Sequence, residues 1–175
     1  MATWNIDSSH SSVQFSIRHL MITNVRGEFA GVTGSVEYDA ANPLATKVNA
    51  SVDAASINTR DEKRDGHLRS ADFFDVATHP TVTFASTAVA RNGGGHLEVH
   101  GDLTLHGVTK PVVLAVDGPT GEEKDPWGNT RIGASISTTI DRREFGLGWN
   151  AVIESGGVLV GHDAKLTIDL SLVRA

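Results

Sequence analysis

Hydrophobic and polar residues alternate along most of this chain. Val13, Phe15, Ile17 and His19 fall on one face of an extended segment, with Gln14, Ser16 and Arg18 on the other. That is the period-two signature of a half-buried β-strand. The pattern recurs in Val48, Ala50, Val52 and Ala54 against Lys47, Asn49, Ser51 and Asp53. It returns in Val82 and Phe84, in Leu97, Val99, Leu103 and Leu105, and in Ile132, Ala134, Ile136 and Ile140. Ala164, Leu166, Ile168, Leu170 and Leu172 complete the set. Turn signals separate these runs: "ANP" at 41–43, "NGGG" at 92–95, "HGVTKP" at 106–111, "GPTGEEKDPWGN" at 118–129 and "ESGG" at 154–157. The pattern predicts an all-β fold, with about eight or nine antiparallel strands closed into a barrel or folded as a sandwich.

One stretch breaks the alternation. "NTRDEKRDGHLRSADFFD" at 58–75 has no period of two. Thr59 followed by Glu62 fits a capping box, and Leu68, Phe73 and Phe74 supply an apolar group at near-helical spacing. A short helical lid or crossover on the β-structure is predicted there, and "DRREFGLGWN" at 141–150 is a second irregular segment. No internal repeat emerges, and the 118–129 loop is too short to link domains, so residues 1–175 read as one domain.

Composition narrows the functional classes. Fifteen basic against 21 acidic residues give a net charge of -6. With no Lys/Arg run to offset it, nucleic acid is excluded as a partner. The absence of cysteine rules out disulfides, thiolate metal sites and a cysteine nucleophile. No basic-then-apolar leader opens the chain and no apolar run reaches membrane-spanning length. A cytoplasmic protein is expected as written, or a periplasmic or secreted one if a signal peptide has been removed.

Eight histidines raise the question of a metal. His96, His100 and His106 share one predicted strand, but at its rise they stand about 13 and 20 Å apart, too far for a common ion. Scattered surface or hydrogen-bonded histidines are the plain reading, and no metal site is expected. No catalytic signature is present: no nucleophile elbow, zinc-protease helix, phosphate loop or dinucleotide fingerprint. Asp61, Glu62 and Asp65 lie among basic neighbours and read as a solvated helix face. His106 reads as the end of its strand on the polar face, bracing the "HGVTKP" turn. His19 lies on an apolar face, where it is either a satisfied core residue or a group orienting a ligand's polar head. Arg60, Arg64 and Arg69 near the predicted lid suit either an anionic head or plain surface charge. The small inward residues Ala50, Ala54, Ala134, Ala164 and Gly101 point to volume left along the barrel axis.

Several motifs, taken in order, resemble the YceI-like, polyisoprenoid-binding family. They are "WNIDSSHSSVQFSIRHL", "RGEFAGVTGSVEYD", "RDGHLRSADFFDVATHPTVTF", "GDLTLHGVTKPV" and "IDRREFGLGWN". The resemblance runs from Trp4 to about Leu172. It implies an extended, lipocalin-like antiparallel barrel with a helical insertion, often a homodimer. Its tunnel would hold a polyisoprenoid, an isoprenoid quinone or a fatty-acid amide, for transport, storage or sequestration, with no other cofactor. The inward positions expected to meet that ligand are Phe15, Ile17, His19, Phe29, Leu68, Phe73, Phe74, Phe84, Leu103, Leu105, Ile136, Phe145 and Trp149. Two alternatives stay open: an enzyme of isoprenoid or lipid chemistry using His19 and a lid arginine, and a stress-associated interaction protein with a solid barrel.

Overall fold

A computed structural model describes residues 1–151 and 157–175; residues 154–156 of the "ESGG" turn signal lie outside the described residues. Eleven strands are described: β1 (Ala2–Ile6), β2 (Ser12–His19), β3 (Thr23–Phe29), β4 (Thr33–Tyr38), β5 (Lys47–Asp53), β6 (Thr81–Arg91), β7 (Leu97–Leu105), β8 (Val108–Asp117), β9 (Glu123–Lys124), β10 (Thr130–Asp141) and β11 (Val160–Arg174). One α-helix, α1 (Glu62–Arg69), interrupts them. The sheet runs β3-β2-β11-β1-β4-β5-β6-β7-β8-β10-β9, and β10 also pairs with β11. That last pairing, from Arg131↔Val173 to Asp141↔Asp163, closes a ring of eight antiparallel strands. Within the ring, closure removes the open edges that would otherwise invite pairing with another chain, and β3 and β9 are left as the outer edges.

The extra strands arise because β11 is long enough to serve two neighbours in turn. Its first part pairs with β2, from Val160↔His19 to Asp169↔Ser12, and its last residues pair with β1 at Leu172–Arg174. Between β1 and β2 the chain kinks through a 3₁₀ turn at Ser8–His10, capped by Asp7, which accepts from Ser9 N at 3.0 Å. The β2–β3 hairpin therefore prolongs the wall beyond β1 and β4. β3 reaches the far side through a bridge, Glu28↔Asn58.

Trp4, Ile6, Val32, Val36, Val52, Ile132 and Leu172 pack into one core cluster. Leu97, Val99, Leu114 and Val116 form a second, and Leu105, Ile140, Phe145 and Leu147 a third. Most members come from alternate strand positions, the inward set of the period-two pattern, while Val32, Phe145 and Leu147 join them from outside the strands.

Local details differ from the sequence reading. The cap of α1 is Asp61, which accepts from Arg64 N at 3.0 Å, rather than Thr59. Thr59 instead donates from its backbone N–H and hydroxyl to Asp65 Oδ1. Asp65 is consequently buried rather than part of a solvated face. Only Leu68 of the predicted apolar group lies on α1; Phe73 and Phe74 follow it in the turn. His106 does not end β7 on the polar face. It sits in the β7–β8 turn in left-handed backbone (φ 54), and its Nδ1–H donates to Phe145 O at 3.0 Å. The imidazole ties two distant segments together instead of bracing its own turn.

Candidate ligand-binding site

The barrel encloses a cavity of about 570 Å³ between the first and third core clusters. That volume lies in the range of ligand pockets, roughly 300–1,000 Å³. A hollow of this size means that the barrel is not solid. Val13, Phe15, Ile17 and His19 of β2 and Ala164, Leu166, Ile168 and Leu170 of β11 form much of one wall. Phe84 of β6, Leu103 and Leu105 of β7, and Ile136 and Ile140 of β10 contribute to the rest.

Phe29, Leu68, Phe73, Phe74 and Trp149 also line the cavity, which brings together every predicted contact residue except Phe145. Phe145 is fully buried in the third core cluster, beneath the turn that carries it. Among the small residues, Ala50 and Ala164 line the hollow, whereas Ala54 is buried in the protein and Ala134 packs on the second cluster. The space at Gly101 is filled by the Phe84 ring: a Cβ there would stand 2.4 Å from Phe84 Cζ.

Two aromatic groups shape the lining. Phe15, Phe29 and Phe74 form a chain with centroid spacings of 5.7 Å at each step. His67, Phe73 and Trp149 form a triangle, with His67 4.8 Å from Trp149 and 5.1 Å from Phe73. These are the tilted and edge-to-face contacts that aromatic quadrupoles favour. α1 is anchored to its surroundings by guanidinium groups. Arg69 donates to Ala55 O and Ile57 O, each at 2.9 Å, and Arg64 donates to Thr59 Oγ1 and Thr59 O, each at 2.7 Å.

Charge is concentrated near α1. Arg18, Lys63 and Arg64 line the cavity with Asp61, its one acidic residue among the described residues, and with His19 and His67. The cap bond from Arg64 N holds the Asp61 carboxyl below its ordinary pKa, so it stays ionised. Arg142 also borders the cavity but is committed elsewhere. Buried to 4% exposure, it donates to the carbonyls of Leu147, Trp149 and Gly161. Burial pushes its pKa down, yet a guanidinium remains charged at neutral pH. No sequence signal marked Arg142, Lys63 or His67 as cavity residues. The aliphatic members of β2 and β11 were legible as inward positions.

A closed antiparallel barrel with an apolar hollow and a helical cover defines a lipocalin-like container. The YceI-like domain model matches residues 4–172, and the chain belongs to that family. It is 46% identical over 136 residues to a UPF0312 protein of Ectopseudomonas mendocina, covering 78% of this chain and 71% of that one. A Vibrio cholerae UPF0312 protein is 42% identical over 139 residues, covering 79% and 73%. Among solved structures, Burkholderia cenocepacia BcnA superposes with a TM-score of 0.80 at 22% identity, over 95% of this chain and 98% of that one. A Campylobacter jejuni YceI protein gives 0.74 at 28% identity over 90% of each chain. A polyisoprenoid binding domain from Saccharophagus degradans gives 0.70 at 17% identity over the whole of both.

Proposed function

We propose that this protein binds one long apolar chain inside the barrel, with the ligand's polar head at the α1 end, and acts as its carrier, store or sequestering protein. The observation that carries this reading is a cavity of about 570 Å³ whose walls are mostly aliphatic and aromatic, with only a few polar and charged side chains among them. Each buried methylene contributes about 0.8 kcal/mol, so about ten of them supply the roughly 8 kcal/mol of micromolar binding before ordering costs. No reactive group is needed for that task. The Saccharophagus degradans domain of the same fold is named for polyisoprenoid binding, which supports an isoprenoid-type chain, a quinone tail included. Arg18, Lys63 and Arg64 favour an anionic or carbonyl-bearing head over a cationic one.

The test is native mass spectrometry of freshly purified protein, then solvent extraction and identification of what is released. A long apolar molecule at near-stoichiometric occupancy is expected, falling at least about tenfold in Phe84→Glu, which places a charge in the hollow. Equal occupancy in both proteins would overturn the reading. So would failure of apo protein to take up polyprenols, isoprenoid quinones and fatty-acid amides on titration.

A further inference from the structure

Outside the cavity, Asp75, His79 and His106 bring their potential ligand atoms within 4.8 Å of one another. Asp75 and His79 belong to the turn after α1, and His106 to the β7–β8 turn. The cluster thus joins two segments far apart in sequence. The Phe145 carbonyl can only accept, so His106 Nδ1 is the protonated nitrogen of this 3.0 Å bond. Nε2 is left with its lone pair. Metal-binding imidazoles are oriented in this way, the second ring nitrogen donating to a backbone carbonyl.

Room for both rings comes from two glycines. A Cβ on Gly107 (φ 70) would stand 2.6 Å from His79 Cε1, and one on Gly146 (φ 75) would stand 3.2 Å from His106 Nδ1. The two rings meet edge to face with centroids 5.1 Å apart. Asp75 (φ 45) and His106 (φ 54) both hold left-handed backbone that non-glycine residues adopt at a cost. The backbone N–H of His79 donates to Asp75 O at 2.8 Å, which holds these two residues in one turn.

We propose that Asp75, His79 and His106 bind one divalent transition-metal ion, which clasps the turn after α1 to the β7–β8 turn. Two imidazoles and a carboxylate suit zinc and its neighbours in the first transition row better than magnesium or calcium. Metal–nitrogen bonds of about 2.0–2.1 Å need ligand atoms roughly 3.3 Å apart, a closure that side-chain rotation supplies. None of the three residues lines the cavity, but Phe74 and Leu105, which adjoin Asp75 and His106, do. A filled site therefore stiffens two segments of the cavity wall from outside.

The test uses the untagged full chain, stripped with chelator and titrated with zinc by calorimetry and with cobalt(II) by visible absorption. One ion per chain is expected, with cobalt d–d bands and a Tm rise of about 5–10 °C when zinc is 100-fold above Kd. Calcium and magnesium produce no such rise. His79→Gln and Asp75→Asn should each weaken zinc binding at least about tenfold, while each apo protein keeps nearly its original Tm. Absence of stoichiometric binding up to millimolar zinc would overturn the assignment. Binding unchanged in Asp75→Asn and in His79→Gln would do the same, because the ion would then sit elsewhere, at His10 with Asp7 or His67 with Asp72.

Discussion

The ring of Phe15 occupies the place where a side chain of Gly27 would otherwise stand. The two residues are register partners across β2 and β3, and a Cβ on Gly27 would lie 2.3 Å from Phe15 Cζ. Thr59 Cγ2 stands 2.9 Å from the same point, so the ring cannot simply yield toward Thr59. Gly27→Ala must turn Phe15 out of this position, disturbing its 5.7 Å packing against Phe29. Destabilisation of about 1–3 kcal/mol is expected by urea unfolding. The Gly27→Ala, Phe15→Ala double variant should be more stable than the sum of the single effects predicts, because the clash vanishes with the ring. Simple additivity would refute the coupling.

A second prediction concerns Arg142, whose buried guanidinium collects the carbonyls of Leu147, Trp149 and Gly161. Without it, those carbonyls lose a donor in a place that water reaches poorly. Arg142→Met should cost about 3 kcal/mol or more, since several acceptors are left unpaired at once. Lysine will not rescue the loss, because one ammonium cannot span acceptors that a planar fork reaches together. The comparison of methionine and lysine variants by chemical denaturation checks both points. A lysine variant as stable as wild type would show that charge alone matters.

The long strands were legible because β2, β5, β7, β10 and β11 alternate through several apolar positions, a signal that tertiary context does not blur. β3 and β4 were not, since Gly27 and Gly34 interrupt their apolar sets. At Gly27 the missing side chain is supplied from across the sheet by Phe15. The same device misled the reading of Gly101, where smallness leaves room for Phe84 and not for ligand. Phe145 was misplaced for another reason. Patterning fixes which face a strand residue takes, but says nothing of a residue in a 3₁₀ turn such as Arg142–Phe145. The association of Asp75 and His79 with His106 was beyond reach, because spacing along one strand cannot reveal partners brought in by a distant turn.

Acid sensitivity should trace to Arg131. It binds Asp125 and Asp7, each at 2.7 Å, tying β10 to the start of the chain and to the 118–129 loop. Hydrogen bonds from Ser9, Arg131 and His10 hold the Asp7 carboxyl far below its ordinary value of 3.8, and Arg131 with Asn129 does the same for Asp125. Arg143 lowers Asp141 to about 2. These depressed values favour the folded state above the unfolded carboxylate range, and the benefit fades as pH falls below about 4. Tm should therefore decline between about pH 4 and pH 2, and Arg131→Gln should flatten that decline while lowering Tm at pH 7. An unchanged acid limb in Arg131→Gln would move the sensitivity to other carboxylates.

Trp149 offers a direct optical report on the cavity. Of the three tryptophans, Trp4 is 1% exposed in the core and Trp127 is 80% exposed on a loop, so neither borders the hollow. Trp149 lines it and packs against His67 and Phe73, 5.4 Å from the latter. An apolar chain reaching the α1 end must displace solvent from the indole or shift it within this triangle. Either event changes emission: a drier indole shifts to the blue, and altered contact with the imidazole changes quenching. Titration with a long-chain isoprenoid should produce a saturable change that is absent in Trp149→Phe, although that variant still binds by mass spectrometry. Saturable binding without any change in Trp149 emission would place the ligand deeper, toward Ile6 and Val32, and away from the basic residues assigned to its head.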